Sequence, residues 1–376
     1  MAQDKDQKPL NVPPLRFPGF TDEWKKTTLG EIGETMIGLT YSPKDVVENG
    51  GTIVFRSSNI QNGMIDYSDL VRVTKPIKER IITKEKDILI CARNGSQRLI
   101  GKNTLLRESD AGNTFGAFMM VYRSDDNDII HPLLSTKQYV SQVTENLGAR
   151  INQITTSDLN SFEFFLPQES EEKRKIGELF ALINERIATQ NKIIEDLKKL
   201  KSAIVDNLMT PQKEWESTKI GNVLSIGSGR DYKHLRDGNI PVYGTGGYML
   251  SVDSYLYDGE SVCIGRKGTI NKPIFLKGKF WTVDTLFYTH TFCSITPRFC
   301  YYLFTTIDWL KYNEASGVPS LSKVTIENIS ISIPDLVTQK QICAVLDSMT
   351  DKLDIEQKLL DAYHAQKQYL LQQIFI

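Results

Sequence analysis

The chain has no apolar run of about 18 residues, so no segment reads as a membrane span. Its first residues, Met1-Ala2-Gln3-Asp4-Lys5-Asp6, are charged and lack the apolar stretch of a secretory signal. It has almost no net charge, with 45 Lys and Arg against 46 Asp and Glu. That balance does not announce the basic domain of many nucleic-acid binders, but it leaves room for basic residues gathered on one face. Cysteine is scarce: Cys91, Cys263, Cys293, Cys300 and Cys343 are scattered, odd in number and form no CxxC pair. They read as reduced thiols of a cytoplasmic protein, not as a zinc site or a disulfide frame. The histidines, His131, His234, His290 and His364, lie far apart without ligand spacing, so no metal site is expected.

Catalytic motifs are missing as well. A phosphate-binding loop needs Gly, four residues, then Gly-Lys-Ser/Thr. The nearest stretch, Gly95 to Gly101-Lys102, has five intervening residues and continues with Asn103. No Asn/Asp-Pro-Pro-Phe/Tyr tetrad, the mark of DNA amino-methyltransferases, occurs. No glycine-rich loop follows a strand as a nucleotide or methyl-donor site requires. No catalytic residue is assigned, and the sum favours a protein that binds over one that reacts.

What is present is a duplication. The segment Trp24 to Met209 runs in the same order as Trp215 to Phe375. Each opens on a tryptophan, passes through a long and dissimilar mixed region, and reaches an apolar strand ending in proline, Phe162 to Pro167 and Ile329 to Pro334. A long helical pattern closes each half. Its core-like positions in the first half are Ile176, Phe180, Ile183, Ile187, Gln190, Ile194, Leu197, Lys201, Ile204 and Leu208. In the second they are Ile342, Leu346, Met349, Leu353, Glu356, Leu360, Tyr363, Lys367, Leu370 and Ile374, each shifted by 166 (342 − 176). Two ordinary amphipathic surface helices would not share their polar exceptions in this way. A sustained seam in steps of four and three predicts a left-handed coiled coil. From Ile176 to Leu208 such a helix is about 50 Å long. If a two-fold axis relates the halves, one helix carries the chain from head to head and the other returns it, so the pair is antiparallel. Leu179, Ile193, Leu200, Val345 and Leu359 sit beside the seam and widen it beyond what two helices bury. They are the candidate surface for partner helices, unless the heads fold back onto them.

The heads read as β-rich with short helices. Strands are predicted at Thr52–Arg56, Asp87–Ala92 and Phe115–Tyr122, a tight turn at Asn62-Gly63, and a helix over His131–Leu147. In the second head Ser261–Ile264 and Leu286–Thr289 read as strands and Pro297–Trp309 as a helix. Basic and polar residues gather on glycine-punctuated turns after equivalent strands. The first head offers Arg93, Asn94, Gln97, Arg98 and Lys102, the second Arg266, Lys267, Asn271 and Lys272. Arg can bridge guanine, Asn or Gln can pair with adenine, and Lys binds phosphate. A solvated charged hairpin would look the same, but the recurrence at one place in both halves favours DNA contact. Weaker candidates are Arg56, Ser58 and Asn59 in the first head and Arg230, Lys233, Tyr243 and Thr245 in the second. The stretches Gly148–Ile154 and Gly317–Leu321 correspond to each other and suit packing or DNA equally.

The Leu15-Arg16-Phe17-Pro18-Gly19-Phe20 lead with Trp24 carries a family resemblance. So do Leu166-Pro167-Gln168-Glu169 with Lys173-Arg174-Lys175-Ile176, and Ile333-Pro334 with Gln339-Lys340-Gln341-Ile342. With the duplication, these make nearly the whole chain resemble the specificity subunit of type I restriction-modification enzymes. The resemblance implies an α+β fold: two β-rich target recognition domains in pseudo-two-fold arrangement, separated by a long antiparallel two-helix coiled coil. The expected bounds are 1–167 for the first recognition domain, with a flexible start over about 1–12, and 168–210 for the first spacer helix. The second domain is expected over 211–334 and the second spacer over 335–376. It also implies two methyltransferase subunits and restriction/translocase subunits as partners on double-stranded DNA. Those partners would bring adenine methylation and cleavage, with S-adenosylmethionine, ATP and Mg2+, leaving this chain non-catalytic.

Each head is then expected to read one half of an asymmetric bipartite site, and the rod to set the unread gap. Groove faces recur about every 34–36 Å, which allows about five to eight unread base pairs. Adding four residues to each helix would lengthen the rod by about 6 Å and widen the gap by one or two pairs. A coiled-coil scaffold whose heads bind protein stays open beside this, as does a self-contained methyltransferase or nuclease, which the missing motifs disfavour.

Overall fold

The computed structural model describes residues 11–149 and 152–376. The charged start, most of the flexible stretch expected over about 1–12, and part of the Gly148–Ile154 stretch lie outside the described residues. The chain divides into two compact units, Met1–Asn191 with Lys358–Ile376, and Lys192–Gln357.

Two helices of 39 residues, Ser170–Leu208 and Leu336–Ile374, take part in both units. Their first and last residues keep the 166-residue offset of the seam. At 1.5 Å per residue each is about 58 Å long. Each begins just after a proline, which disfavours helix at the residue before it. Asp335 caps the second helix, accepting from the Thr338 hydroxyl at 2.7 Å and from the N–H groups of Thr338 at 3.0 Å and Val337 at 2.8 Å, which holds its carboxyl below the usual range. All twenty seam positions are buried or half-buried, including the shared exceptions Gln190, Glu356, Lys201 and Lys367. In the first unit Phe180 stacks on Phe375, with ring centroids 5.7 Å apart. In the second unit the Lys201 ammonium donates to the Thr350 hydroxyl at 2.7 Å. The number rises along one helix as it falls along the other, so the two helices run in opposite directions.

The heads share one plan. In the first, a four-stranded antiparallel sheet has the order Glu34–Ile37, Met119–Arg123, Ile88–Cys91, Asn103–Leu105. In the second, the order is Ser225–Ser228, Leu286–His290, Ser261–Gly265, Ile274–Leu276. The central strands Ile88–Cys91 and Ser261–Gly265 are buried at every residue, as expected for continuous apolar runs. A second four-stranded sheet in each head contains one parallel pair, Thr114–Phe115 with Thr52–Phe55, and Lys279–Thr282 with Asp237–Gly244. The opening strand of each half pairs antiparallel with the strand before the proline, Lys25–Thr28 with Glu163–Leu166 and Glu216–Lys219 with Ser330–Ile333.

Three sequence expectations are corrected. The run Phe115–Tyr122 is two strands in two sheets, because the chain turns at Gly116–Phe118. The helix expected over His131–Leu147 is two, Asn127–Leu133 and Lys137–Ala149; Thr136 ends the first by donating to the Leu133 carbonyl and starts the second by accepting from Tyr139 N–H. The helix expected over Pro297–Trp309 stops at Thr306, followed by a separate turn at Trp309–Tyr312. The Asn62-Gly63 turn is present, with both residues at positive φ, as the tip of a hairpin confined to the first head.

In the first unit the N-terminal lead packs on both helix ends. Arg16 donates twice to the buried Glu172 carboxylate, at 2.6 and 2.8 Å, and the Trp24 indole N–H reaches the same carboxylate at 3.4 Å. Leu15 N–H donates to the Gln373 carbonyl at 3.0 Å, and Trp24 meets Phe375 edge to face. In the second unit Met209, equivalent to Phe375, is buried in one cluster with Leu346 and Phe299.

Candidate nucleic-acid interface

In each head five segments meet at one rim, joined by backbone hydrogen bonds. In the first head Gly38 N–H donates to Met119, Leu39 to Phe115, Gly116 to Phe55, Ala92 and Arg93 both to Phe118, and Ile154 to Ala92. In the second head Gly229 N–H donates to Leu286, Arg230 to Thr282, Val283 to Tyr243, Arg266 and Lys267 to Thr285, and Leu321 to Arg266. The pairings correspond one for one, and isolated bridges Arg93 to Gln153 and Lys267 to Ser320 repeat the match. The two basic loops are therefore equivalent, as the sequence indicated. A glycine is required where the segments cross. A Cβ on Gly229 would lie 1.9 Å from the Val283 carbonyl oxygen, and one on Gly38 would lie 2.3 Å from the Phe115 and Gly116 oxygens.

The second rim gathers most of its predicted residues. Arg266 and Lys267 are exposed and line a cavity of about 690 Å³ with Ser228, Glu314, Ser320 and Lys323. The Arg266 guanidinium lies over the Phe287 ring at 6.0 Å. Glu314 accepts from the Thr325 hydroxyl and from Ser322 N–H, which holds its carboxyl below the usual range. Arg266, Lys267 and Lys323 face Glu314 there, and with Lys323 also paired to Glu327 at 3.7 Å the cavity keeps a net positive lining. Thr245 approaches the basic loop at Gly268, where a Cβ would lie 3.6 Å from its hydroxyl, and Tyr243 packs edge to face with Tyr248. Arg230 is exposed on the adjoining segment, and its carbonyl accepts from the Trp281 indole at 2.8 Å. Asn271 and Lys272 are exposed just past the buried anchor Ile270. Lys233 is exposed, and no contact among those described joins it to the rim.

The first rim keeps fewer. Arg93, Gln97 and Arg98 are exposed, and the Arg93 guanidinium lies 5.2 Å over the Phe118 ring. Ser58 is exposed, next in sequence to Ser57, whose hydroxyl accepts from Asn94. Asn94 is turned inward, its amide donating to the Ser57 hydroxyl at 3.0 Å and its oxygen accepting from Ser96 N–H at 2.9 Å. Asn59 is corrected from reader to scaffold. It is 1% exposed, donates to the Asp66 and Asp69 carbonyls, and accepts from Arg56 N–H. Arg56 is tied to Asp69 at 2.7 Å, and Lys102 donates to the Ile60 carbonyl. Apart from the Arg56 Nε, which has no hydrogen-bond partner among the described residues, this polar turn bonds largely to itself, and composition does not distinguish that from base contact. Phe118, Glu314 and Lys323 escaped the sequence reading. Only the neighbouring Gly116 marked the first of them.

Along the long helices Ile193, Leu200, Val345 and Leu359 are exposed, and Leu182, Ile355 and Tyr369 join them. Leu179 is half-buried and lines a small cavity of about 160 Å³ in the first unit with Phe17, Trp24 and Ile374. No helix is long and apolar enough to cross a membrane, and no cluster of three or more His, Cys, Asp or Glu is placed to hold a metal, among the described residues.

The family model described as type I restriction modification DNA specificity domain matches twice, over residues 21–199 and 212–362. The chain is 27% identical to a putative type I restriction enzyme specificity subunit of Haemophilus influenzae over 36% of its length and 37% of that relative's. It is 25% identical to the StySPI specificity subunit of Salmonella potsdam over 54% of its length and 48% of that relative's. It thus spans less than half the length of these curated relatives. The crystal structure of a type I restriction-modification S subunit from M. genitalium is similar over 97% of this chain and 99% of that one, with TM-score 0.65 and 18% identity, a likeness of fold. With two matches that together cover most of its length, the chain belongs to the type I restriction modification DNA specificity family.

Proposed function

We propose that this chain is the DNA-reading subunit of a type I restriction-modification complex and carries no reacting group of its own. The observation behind this reading is the pair of rims. Both are assembled from the same five segments by main-chain bonds, while the side chains they present differ. A matched frame with unlike presented residues suits two different half-sites on one duplex. Exposed Arg, Lys and Gln on loops held by backbone bonds can reach base edges and phosphates with only their side chains left to order at the moment of binding.

The long helices would set the spacing between half-sites. Their exposed apolar edge, with Ile193, Leu200, Val345 and Leu359, would take helices of two methyltransferase subunits, to which restriction/translocase subunits add. Methyl transfer to adenine and cleavage would fall to those partners, which would use S-adenosylmethionine, ATP and Mg2+. A cytoplasmic location follows from that work on DNA.

The test is DNA binding by the complex of this chain with its methyltransferase partner. Tight, sequence-specific binding that weakens steeply with salt is expected. Changing Arg266 and Lys267 together to Ala should lower the slope of log K against log salt by about 1 to 2 and weaken binding. Binding of an unrelated protein by the heads, with no salt-dependent DNA binding, would overturn the reading in favour of a scaffold.

A further inference from the structure

Of the sixteen phenylalanines only Phe118 is exposed, at 60%. Leaving a ring in water forgoes about 2 kcal/mol of burial, so its position is informative. It ends the three-residue connection Gly116–Phe118 between two sheets of the first head. Its carbonyl accepts from both Ala92 N–H and Arg93 N–H at 3.0 Å, and Gly116 N–H is held by Phe55 at 2.9 Å. The backbone that carries the ring is therefore fixed on both sides. The Arg93 guanidinium sits over the ring at 5.2 Å. The result is a rigid apolar group with a cation on its face, at the centre of a rim whose neighbours Gln97 and Arg98 point to polar contacts. The residue equivalent by its backbone bonds in the second head is Thr285, which has no ring to offer.

We propose that Phe118 is a base-reading residue of the first head, packing against the C5-methyl group of a thymine in the major groove while Arg93 engages the adjacent base or phosphate. The methyl group is the one apolar feature of the groove and distinguishes thymine from the other bases. A ring whose backbone is already fixed meets it at the cost of its side-chain torsions alone. This proposal rests on the reading of the rims as DNA-reading surfaces.

The experiment uses the full chain in complex with its methyltransferase partner and selects binders from DNA with both half-sites randomised. The wild type is expected to prefer thymine at one position of one half-site. Phe118→Ala should lose that preference by about tenfold and leave the other half-site unchanged, with Phe118→Leu retaining part of it. Replacing that thymine by deoxyuridine should weaken the wild type severalfold and leave Phe118→Ala indifferent. Unchanged melting and assembly of Phe118→Ala confirm that the fold is intact, as its exposure leads one to expect. Full retention of base preferences in Phe118→Ala, or an equal response of both proteins to deoxyuridine, overturns the proposal. If the wild type nevertheless binds its site, the DNA reading stands. A wild type with no sequence preference instead sinks that underlying reading.

Discussion

The two seam lysines stand at equivalent places, 166 residues apart, and the two units treat them differently. In the second unit Lys201 donates to Thr350; burial lowers its pKa, with Asp354 and Asp347 opposing that and Arg298 adding to it. In the first unit burial lowers the pKa of Lys367, with no opposing carboxylate among the described residues; its charge in turn acts on His131. The clamps differ likewise. The first unit holds its helix with the Arg16–Glu172 pair, whose carboxylate is 1% exposed; the second uses Arg298, Asp347 and Tyr302, with Asp347 37% exposed. Duplication has kept the apolar seam and the backbone plan while the polar company was replaced piece by piece. Apolar packing tolerates that history because it is non-directional, whereas a charge network must be rebuilt whole.

This contrast can be broken at its strongest point. Arg16→Ala strands a buried carboxylate and should cost about 3 kcal/mol, with hydrogen exchange showing early opening of the first unit and no change in the second. Equal loss in both units would remove the distinction. Arg298→Ala touches a half-exposed pair, so about 1 kcal/mol is expected after solvent screening, read as a smaller shift confined to the second unit.

A third effect is pH-dependent. Burial, and then the charge of Lys367, hold the His131 imidazole down at about 4. Its folded value lies below the ordinary 6.5, so its contribution is complete above pH 6.5 and is lost as pH falls toward 4. Between pH 7 and 5 the first unit should lose on the order of 2 kcal/mol, and His131→Asn should flatten that dependence. A second unit that weakens by as much over the same range would contradict the assignment.

The long helices were legible because ten positions repeat in one register, and a pattern that long outweighs any local ambiguity. The equivalence of the basic loops was legible too, from the apolar strand before each. The break at Gly116 was hidden, since the residues on either side are equally apolar and only one glycine marks the turn. The paired strands Asp237–Gly244 and Gly247–Val252 were missed because Pro241 and several glycines argue against strand locally, and sheet pairing overrides them. The Arg16–Glu172 bond spans 156 residues, which no local pattern reports. At the rims, Asn59 and Lys102 carry the same chemistry as Arg93 and Gln97, and only burial separates scaffold from surface.

The bonds that gather each rim run from peptide N–H to peptide C=O, and any L-residue supplies both groups except proline at the donor. Outside the crossing glycines, the outward positions are therefore excused from keeping the fold. On the proposed reading of the rims, a single substitution there would change which sequence is honoured while leaving stability nearly untouched, and new target preferences would lie one mutational step from the old ones.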